Sequence, residues 1–203
     1  SNAGTSARVR GVTITVAPNP TRAGVPALIS GTVTRGARAK VRVTIWRMVA
    51  GERHFHVTLS AVTGGDGRYA VIAPAATIKS NARWYAVADG IQSATAIQSV
   101  QARITVASSD PLPIPGERLV LRGHLTPAHR GERVLVQRLV GARWRVIGRP
   151  VVNTNSNFKL PTRFFRNGAQ VLRAVLPADA RNVRSFSRPL TLDVIWMHKI
   201  KHV

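Results

Sequence analysis

Only a few residue patterns in this sequence have the types and spacing that chemistry requires. His54 and His56 are separated by one residue, and on a β-strand both imidazoles would lie on one face, a geometry compatible with a metal ion. Glu52 is the only nearby candidate for a further ligand. We expect these histidines to be solvent-facing strand residues, and we predict no metal site.

Two other patterns resemble fragments of metal sites. Gly64-Gly65-Asp66-Gly67 resembles part of a calcium loop, but the further acidic ligands are missing, so we expect a tight hairpin turn. His198 and His202 are four residues apart, a spacing that suits a metal only on a helix. We expect a frayed tail there instead.

The sequence contains few residues that could act in catalysis. The chain has no cysteine and only 8 Asp and Glu residues, and no two carboxylates approach one another in sequence. The phosphate-binding, dinucleotide-binding, zinc-protease and nucleophile-elbow motifs do not occur. We therefore predict a protein that is not an enzyme and binds no cofactor.

Five residues are candidates for contacting a partner. Trp46 falls on the outward phase of a predicted strand, where an indole can stack on a sugar; cover by a loop or a contact between domains is the alternative. Arg143 and Arg145 belong to one of the densest basic runs. Phe164 and Phe165 lie in a predicted loop, where they either pack locally or contact a partner.

Positive charge dominates the composition. There are 30 Lys and Arg residues against 8 Asp and Glu, for a net charge of +22 at pH 7 with histidine neutral. One interpretation is the composition of a GC-rich genome. The other is a surface for anionic polymers, because arginine forks match phosphate and sulfate. Since the charge is spread over both halves without a nucleic-acid recognition motif, we expect only non-specific polyanion binding.

Apolar residues recur with the period of β-strands. Alternate positions are apolar in segments 27–33 and 119–125, which keep the same phase. A period of two indicates a strand with one buried face. Turn signals rich in glycine, asparagine and proline separate such segments, and only segment 73–80 is suited to a short helical turn. The pattern predicts an all-β chain.

The sequence also repeats itself. Gly31 matches Gly123 at an offset of 92 residues, and Tyr69 matches Phe158 at an offset of 89. The offset only decreases along the chain, and each change falls between apolar segments. Two copies of one fold with loop deletions would show this behaviour.

The repeat sets the expected domains. Residues 1–3 have the form of a remnant of a cleaved expression tag. We expect a first sandwich over residues 4–102 and a second over residues 103–203, the latter ending in a basic tail. The boundary falls near residues 100–107, with a short connection rather than a long flexible linker.

A set of glycine, aliphatic, arginine and aromatic positions recurs in both halves: Gly31, Val43, Ile45, Arg47, Phe55, Tyr69, Ala86 and Val87, then Gly123, Val134, Val136, Arg138, Gly141, Trp144, Phe158, Ala174 and Val175. This pattern resembles the immunoglobulin-like or fibronectin type III-like tandem repeats of bacterial secreted and cell-surface proteins, of the kind common in actinobacteria. The resemblance implies an all-β fold of two tandem immunoglobulin-like antiparallel β-sandwiches.

The same resemblance implies a function. It suggests a structural, adhesion or spacer module that contacts a cell-envelope glycan or protein through shallow surfaces. The expected location is extracellular or at the cell surface, with the signal peptide trimmed from the sequence. A basic module for anionic polymers (cell-wall polymer, glycan or nucleic acid) is the alternative, and an accessory domain of a larger hydrolase is a third interpretation. We expect a monomer or weak dimer, because exposed edge strands permit weak self-association. The sequence has no run of about 18 apolar residues, so we predict no membrane-spanning segment.

Overall fold

The computed structural model describes residues 9–35 and 40–196. Apart from one 3-10 turn at Ala75–Thr77, which lies in the segment suited to a helical turn, its regular elements are β-strands. The described part of the chain contains no helix with the length and hydropathy of a membrane-spanning segment. The prediction of an all-β chain is confirmed.

Contacts divide the described residues into two compact units. Unit 1 runs up to Gln101 and also takes in Ala180–Val183, whereas unit 2 contains Ala102–Asp179 and the described residues from Arg184 onward. Unit 1 therefore includes a short segment that is distant in sequence from the rest of it.

Hydrogen bonds within unit 1 hold this segment. Asn182 donates from Nδ2 to the carbonyl oxygens of Lys79 and Val100, each at 3.0 Å. The backbone nitrogen of Val183 donates to the same Val100 oxygen at 3.0 Å. These bonds explain why the segment clusters with the first half of the chain.

Unit 1 is built from two sheets. Its strands in chain order are β1 (Val9–Val12), β2 (Thr15–Ala17), β3 (Thr21–Arg22), β4 (Ala27–Arg35), β5 (Arg42–Val49), β6 (His56–Val62), β7 (Arg68–Ala73), β8 (Ala82–Ala88), β9 (Ile91–Gln92), β10 (Ala96–Gln98) and β11 (Val100–Gln101). In the first sheet β4 pairs with β1, β2 and β7. In the second the order is β6-β5-β8, with β9 and β10 also paired to β8. A short parallel pair joins β3 to β11.

Unit 2 has the same strand order. Its strands are β12 (Arg103–Ser108), β13 (Leu119–Thr126), β14 (Leu135–Val140), β15 (Arg143–Gly148), β16 (Asn157–Thr162), β17 (Gly168–Leu176), β18 (Ser185–Phe186) and β19 (Leu190–Val194). The first sheet is β12-β13-β16, and the second is β15-β14-β17 with β18 and β19 paired to β17. In unit 2, the first, second and fifth strands thus form one sheet and the remaining strands form the other. This division of strands is immunoglobulin-like.

Each unit encloses its own apolar core, to which both sheets contribute. In unit 1, Ile29 of the first sheet and Ile45 and Trp84 of the second are fully buried in one cluster. In unit 2, Leu121 and Leu172 do the same from opposite sheets. The alternating positions identified in the sequence are the core-facing ones, so the predicted tandem sandwich is confirmed.

A glycine beneath an aromatic ring marks the same position in both units. The hydroxyl of Tyr69 donates to the carbonyl oxygen of Thr13 at 2.6 Å, and a Cβ on Gly31 would collide with both groups. A Cβ on Gly123 would likewise collide with Phe158 and with the carbonyl oxygen of the residue equivalent to Thr13. The matched pairs read from the sequence are equivalent in space.

A second motif, which we call the serine latch, is also duplicated. Ser93 exchanges two hydrogen bonds with Ala86: its backbone nitrogen donates to the alanine oxygen at 2.8 Å, and its Oγ accepts from the alanine nitrogen at 2.9 Å. Ser187 makes the same two bonds with Ala174, each at 2.9 Å. The repeat therefore extends to individual hydrogen bonds.

Candidate binding surface

The outer face of the second sheet in unit 1 carries a cluster of three aromatic rings. Strand register sets Trp46 opposite Tyr85 on one side and Val57 on the other. The Trp46 and Tyr85 rings stack, with centroids 5.8 Å apart and planes 15° apart, and Phe55 lies 4.7 Å from Tyr85. Trp46 alternates with core residues, as the sequence indicated, and is half-buried among its neighbours. We call Trp46, Tyr85, Phe55 and Val57 the aromatic face.

Exposed apolar side chains extend this face. Val57 is 56% exposed and Ile97, on the adjacent β10, is 65% exposed. A pocket of about 490 Å³ opens beside Ile97 and is also lined by Met48, Glu52, Arg83 and Gln98. The surface can therefore offer an aromatic platform and aliphatic contacts next to a recess with both polar and apolar lining.

Unit 2 carries different residues at the equivalent positions. Gln137, Arg173 and Trp144 take the places of Trp46, Tyr85 and Phe55 in the repeat. The guanidinium of Arg173 lies over Trp144, 4.1 Å from the ring centroid, and its Nε donates to Gln137 Oε1 at 2.8 Å. The same sheet position is thus aromatic in one unit and cationic in the other.

A second arginine joins this group. Arg173 also lies 4.9 Å from the centroid of Phe186, and Arg184 lies 5.5 Å from the same centroid. Burial lowers the pKa of Arg173, and the positive charge of Arg184 lowers it further. We call Trp144, Arg173, Phe186 and Arg184 the arginine ladder.

The two arginines singled out in the sequence lie apart from this ladder. Arg143 and Arg145 are both exposed on β15, where their positions alternate with that of Trp144. Register sets Trp144 opposite Leu139 and Arg145 opposite Arg138, so the two arginines lie on the other side of the strand. The structure does not bring them together with Arg173.

The two phenylalanines of the predicted loop separate. Phe164 is 3% exposed and belongs to the core of unit 2, where the Arg138 guanidinium lies 5.9 Å from its centroid. Phe165 is 71% exposed. Of this pair, Phe165 alone presents its ring to solvent.

The remaining polar patterns have simple surroundings. His54 and His56 are exposed, and the described residues contain no group of three His, Cys, Asp or Glu side chains that could hold a metal ion. In the glycine-rich turn, Asp66 Oδ1 accepts a hydrogen bond from the Arg68 backbone nitrogen at 3.0 Å, and Gly67 has a φ of 80°. His198, His202 and the basic tail lie outside the described residues.

Sequence reasoning missed Arg173, Arg184 and Phe186 as candidate binding residues. One signal was present, since Arg173 stands between Leu172 and Ala174, whose matches in the first repeat are core positions. Alternation places such an arginine on the outer face. Its meeting with Arg184 and Phe186 depends on the pairing of β17 with β18.

Comparisons with known proteins give weak matches in structure. No family model matches the chain, and no curated protein matches its sequence. The tetra-tandem repeat in the extending region of a large adhesion protein has 17% identity and a TM-score of 0.41, covering 92% of this chain and 50% of that one. The adhesin InvE of Yersinia pseudotuberculosis has 12% identity and a TM-score of 0.40, covering 90% and 59%. The D0-D1 domain of intimin has 14% identity and a TM-score of 0.36, covering 92% and 99%.

The first two of these proteins are longer than this chain, which spans about half to three-fifths of their length. Classification of the chain rests on its own strand order and on its duplicated hydrogen bonds. The chain is a tandem repeat of two immunoglobulin-like, fibronectin type III-like β-sandwiches.

Proposed function

We propose that this chain is a non-catalytic structural or adhesion module of a secreted or surface-attached bacterial protein, with repeat units at residues 4–102 and 103–203. It contacts a cell-envelope glycan or protein through shallow surfaces on the outer faces of its sheets. Binding of this kind needs shape and exposed side chains and no reacting group.

One observation carries the proposal. The two units share their frame down to the glycine beneath an aromatic ring and the serine latch, yet the outer face of the second sheet has changed from Trp46 and Tyr85 to Gln137 and Arg173. A preserved frame beneath a diversified face suits a module that supports different contacts. Ile97 adds exposed apolar area on the same sheet as the aromatic face, and a contiguous apolar patch of this kind suits a partner.

An adhesion assay tests the contact role. Beads coated with the 203-residue chain are washed at rising shear over purified bacterial cell-wall sacculi. We expect retention above that of albumin-coated beads, and a several-fold loss with Ile97→Ser. Ile72→Ser is the matched control, because Ile72 is 63% exposed, close to the 65% of Ile97, but lies on the first sheet. Retention no better than with albumin would contradict the adhesion role.

Force spectroscopy tests the structural role. Stretching the chain by its ends should give two separate unfolding events, each releasing about 30 nm, from about 90 residues at roughly 3.4 Å per residue. A single event would show that the repeats do not act as separate mechanical units.

The second candidate function is a basic module that binds anionic polymers. The arginine ladder favours it, because it holds two cationic groups at one aromatic ring on a chain of net charge +22. Binding that depended only on total charge would fall steeply with salt and would not distinguish one arginine from another.

A further inference from the structure

The positive charges of the arginine ladder form no ion pair with any residue that the structure describes. Neither Arg173 nor Arg184 has a carboxylate within ion-pair distance among the described residues. Like charges in proximity are unfavourable, and burial adds to this at Arg173. A bound anion would relieve both effects.

The geometry of Arg173 also prepares it for a ligand. Its guanidinium is stacked on Trp144 and Phe186, and its Nε is used by Gln137. Its two terminal nitrogens make no hydrogen bond within the described residues, so they keep their donors for a partner. A guanidinium held in this way loses little side-chain entropy on binding.

Arg184 supplies a second donor group on the exposed side of the ladder. Its side chain is exposed, and Phe186, to which its guanidinium is adjacent, is 41% exposed. The site therefore combines one stacked guanidinium, one exposed guanidinium and a partly exposed aromatic ring.

We propose that the arginine ladder on the outer face of unit 2 is a binding site for the anionic group of an acidic carbohydrate, with Arg173 and Arg184 as its two donors. This inference rests on the proposed contact function of the outer faces and names the ligand for one of them. The anion is a sulfate, carboxylate or phosphate carried on a sugar, because each offers oxygens that a guanidinium fork can pair with.

A carbohydrate fits better than a nucleic acid. Single-stranded nucleic acids are bound by stacking bases on free aromatic faces beside a track of positive charge. Here the Trp144 face is covered by a guanidinium at 4.1 Å, and the two arginines of the ladder converge on one ring instead of forming a track. A single anionic group beside an apolar ring edge matches a substituted sugar.

Calorimetric titration with a heparin-derived octasaccharide at 150 mM NaCl tests the site. Arg184→Ala should raise Kd about tenfold, whereas Arg143→Ala should change it less than about twofold. The two variants remove the same charge from exposed positions in the same unit, so they separate a local site from general attraction. Arg184→Gln, which keeps much of the side-chain stem, should behave like Arg184→Ala, and an unchanged melting temperature shows that the fold is intact.

Three results would overturn the inference. The first is no binding of the octasaccharide by the unaltered chain. The second is an equal loss of affinity in Arg184→Ala and Arg143→Ala, which would mean binding by total charge. The third is tighter binding of a 12-base-pair DNA duplex with the same dependence on Arg184, which would assign the site to nucleic acid. Comparison of sulfated, uronate-only and phosphate-bearing oligosaccharides identifies the anion.

This test is separable from that of the proposed function. Bead retention on sacculi without octasaccharide binding would overturn the ladder site and leave the adhesion role standing. Octasaccharide binding that depends on Arg184, without bead retention, would support the ladder site and contradict the adhesion role.

Discussion

A glycine and an aromatic ring are locked together at the same point in each sandwich. Gly31 lies beneath Tyr69, and Gly123 beneath Phe158, with no room for a Cβ at either glycine. The ring fills the space that a side chain on the glycine would occupy. Tyr69 additionally ties its hydroxyl to the Thr13 carbonyl oxygen, a bond that phenylalanine cannot make.

Filling this space should be costly. Gly31→Ala should lower the free energy of unfolding of unit 1 by about 2 kcal/mol or more, because the new methyl group overlaps the Thr13 carbonyl and the Tyr69 hydroxyl. Gly65→Ala is the control, since a Cβ there meets nothing within 4 Å. Urea denaturation measures both variants. Equal stability of the two would refute the packing argument.

The hydroxyl of Tyr69 should make unit 1 sensitive to alkali. Burial raises the pKa of Tyr69 to about 12, above its usual value near 10 in an unfolded chain. Below pH 10 both states keep the proton. Between pH 10 and 12 the unfolded chain loses it more readily, so stability should fall by up to about 2 kcal/mol across that window.

Two variants isolate this effect. Tyr69→Phe reproduces the residue found at position 158 and should remove the titration near pH 12 seen by absorbance at 295 nm. Tyr85→Phe should leave that titration in place, and these are the only two tyrosines in the chain. If Tyr85→Phe removed the titration near pH 12 instead, the titration would belong to Tyr85 and the prediction for Tyr69 would be wrong.

At the scale of strands, serine side chains as well as backbone hydrogen bonds join neighbouring segments of the second sheet in each unit. The serine latch ties the chain after β8 back to Ala86, and the chain after β17 back to Ala174. In each case the serine Oγ accepts from a buried backbone nitrogen that would otherwise have no partner. Such nitrogens are expensive to leave unpaired.

Removing the latch should therefore weaken its own unit. Ser93→Ala leaves the Ala86 nitrogen without its acceptor and should cost about 1–3 kcal/mol of unfolding free energy. Ser60→Ala, at an exposed position on β6, should change stability by less than about 0.5 kcal/mol. Denaturant unfolding of the two variants decides the matter, and a neutral Ser93→Ala would mean that water replaces the hydroxyl.

For the whole molecule, the main feature is a large excess of positive over negative charge. Thirty basic residues face eight acidic ones, and the surplus occurs in both repeats. Repulsion among like charges opposes compaction, and salt screens it over about 10 Å at 0.1 M. Arginines that stack on rings, such as Arg173 on Trp144, show how part of this charge is accommodated.

Screening should stabilise the protein. Raising NaCl from 10 mM to 300 mM should increase the melting temperature by roughly several degrees, since about 1 kcal/mol corresponds to about 4–8 °C for a domain of this size. Differential scanning calorimetry at pH 7 measures the shift. A melting temperature that falls with salt would show that attractive charge pairs outweigh repulsion.

Much of the fold could be predicted from the sequence, because alternating apolar residues indicate a strand from a short stretch of chain alone. Alternation along 27–33 and 119–125 indicates strands, and the apolar positions it marks, such as Ile29 and Leu121, are buried. Loops lack such a period, so the sequence could not tell Phe164, which is buried, from Phe165, which is exposed.

The sequence by itself determined the main core strands, their inward faces and the duplication, because a strand that lines a core buries alternate residues and both repeats carry that alternation. Only the tertiary structure decided which outward side chains meet. Trp144, Arg173 and Phe186 come from three strands whose register is set by pairing between distant parts of the chain, and no local pattern records that pairing.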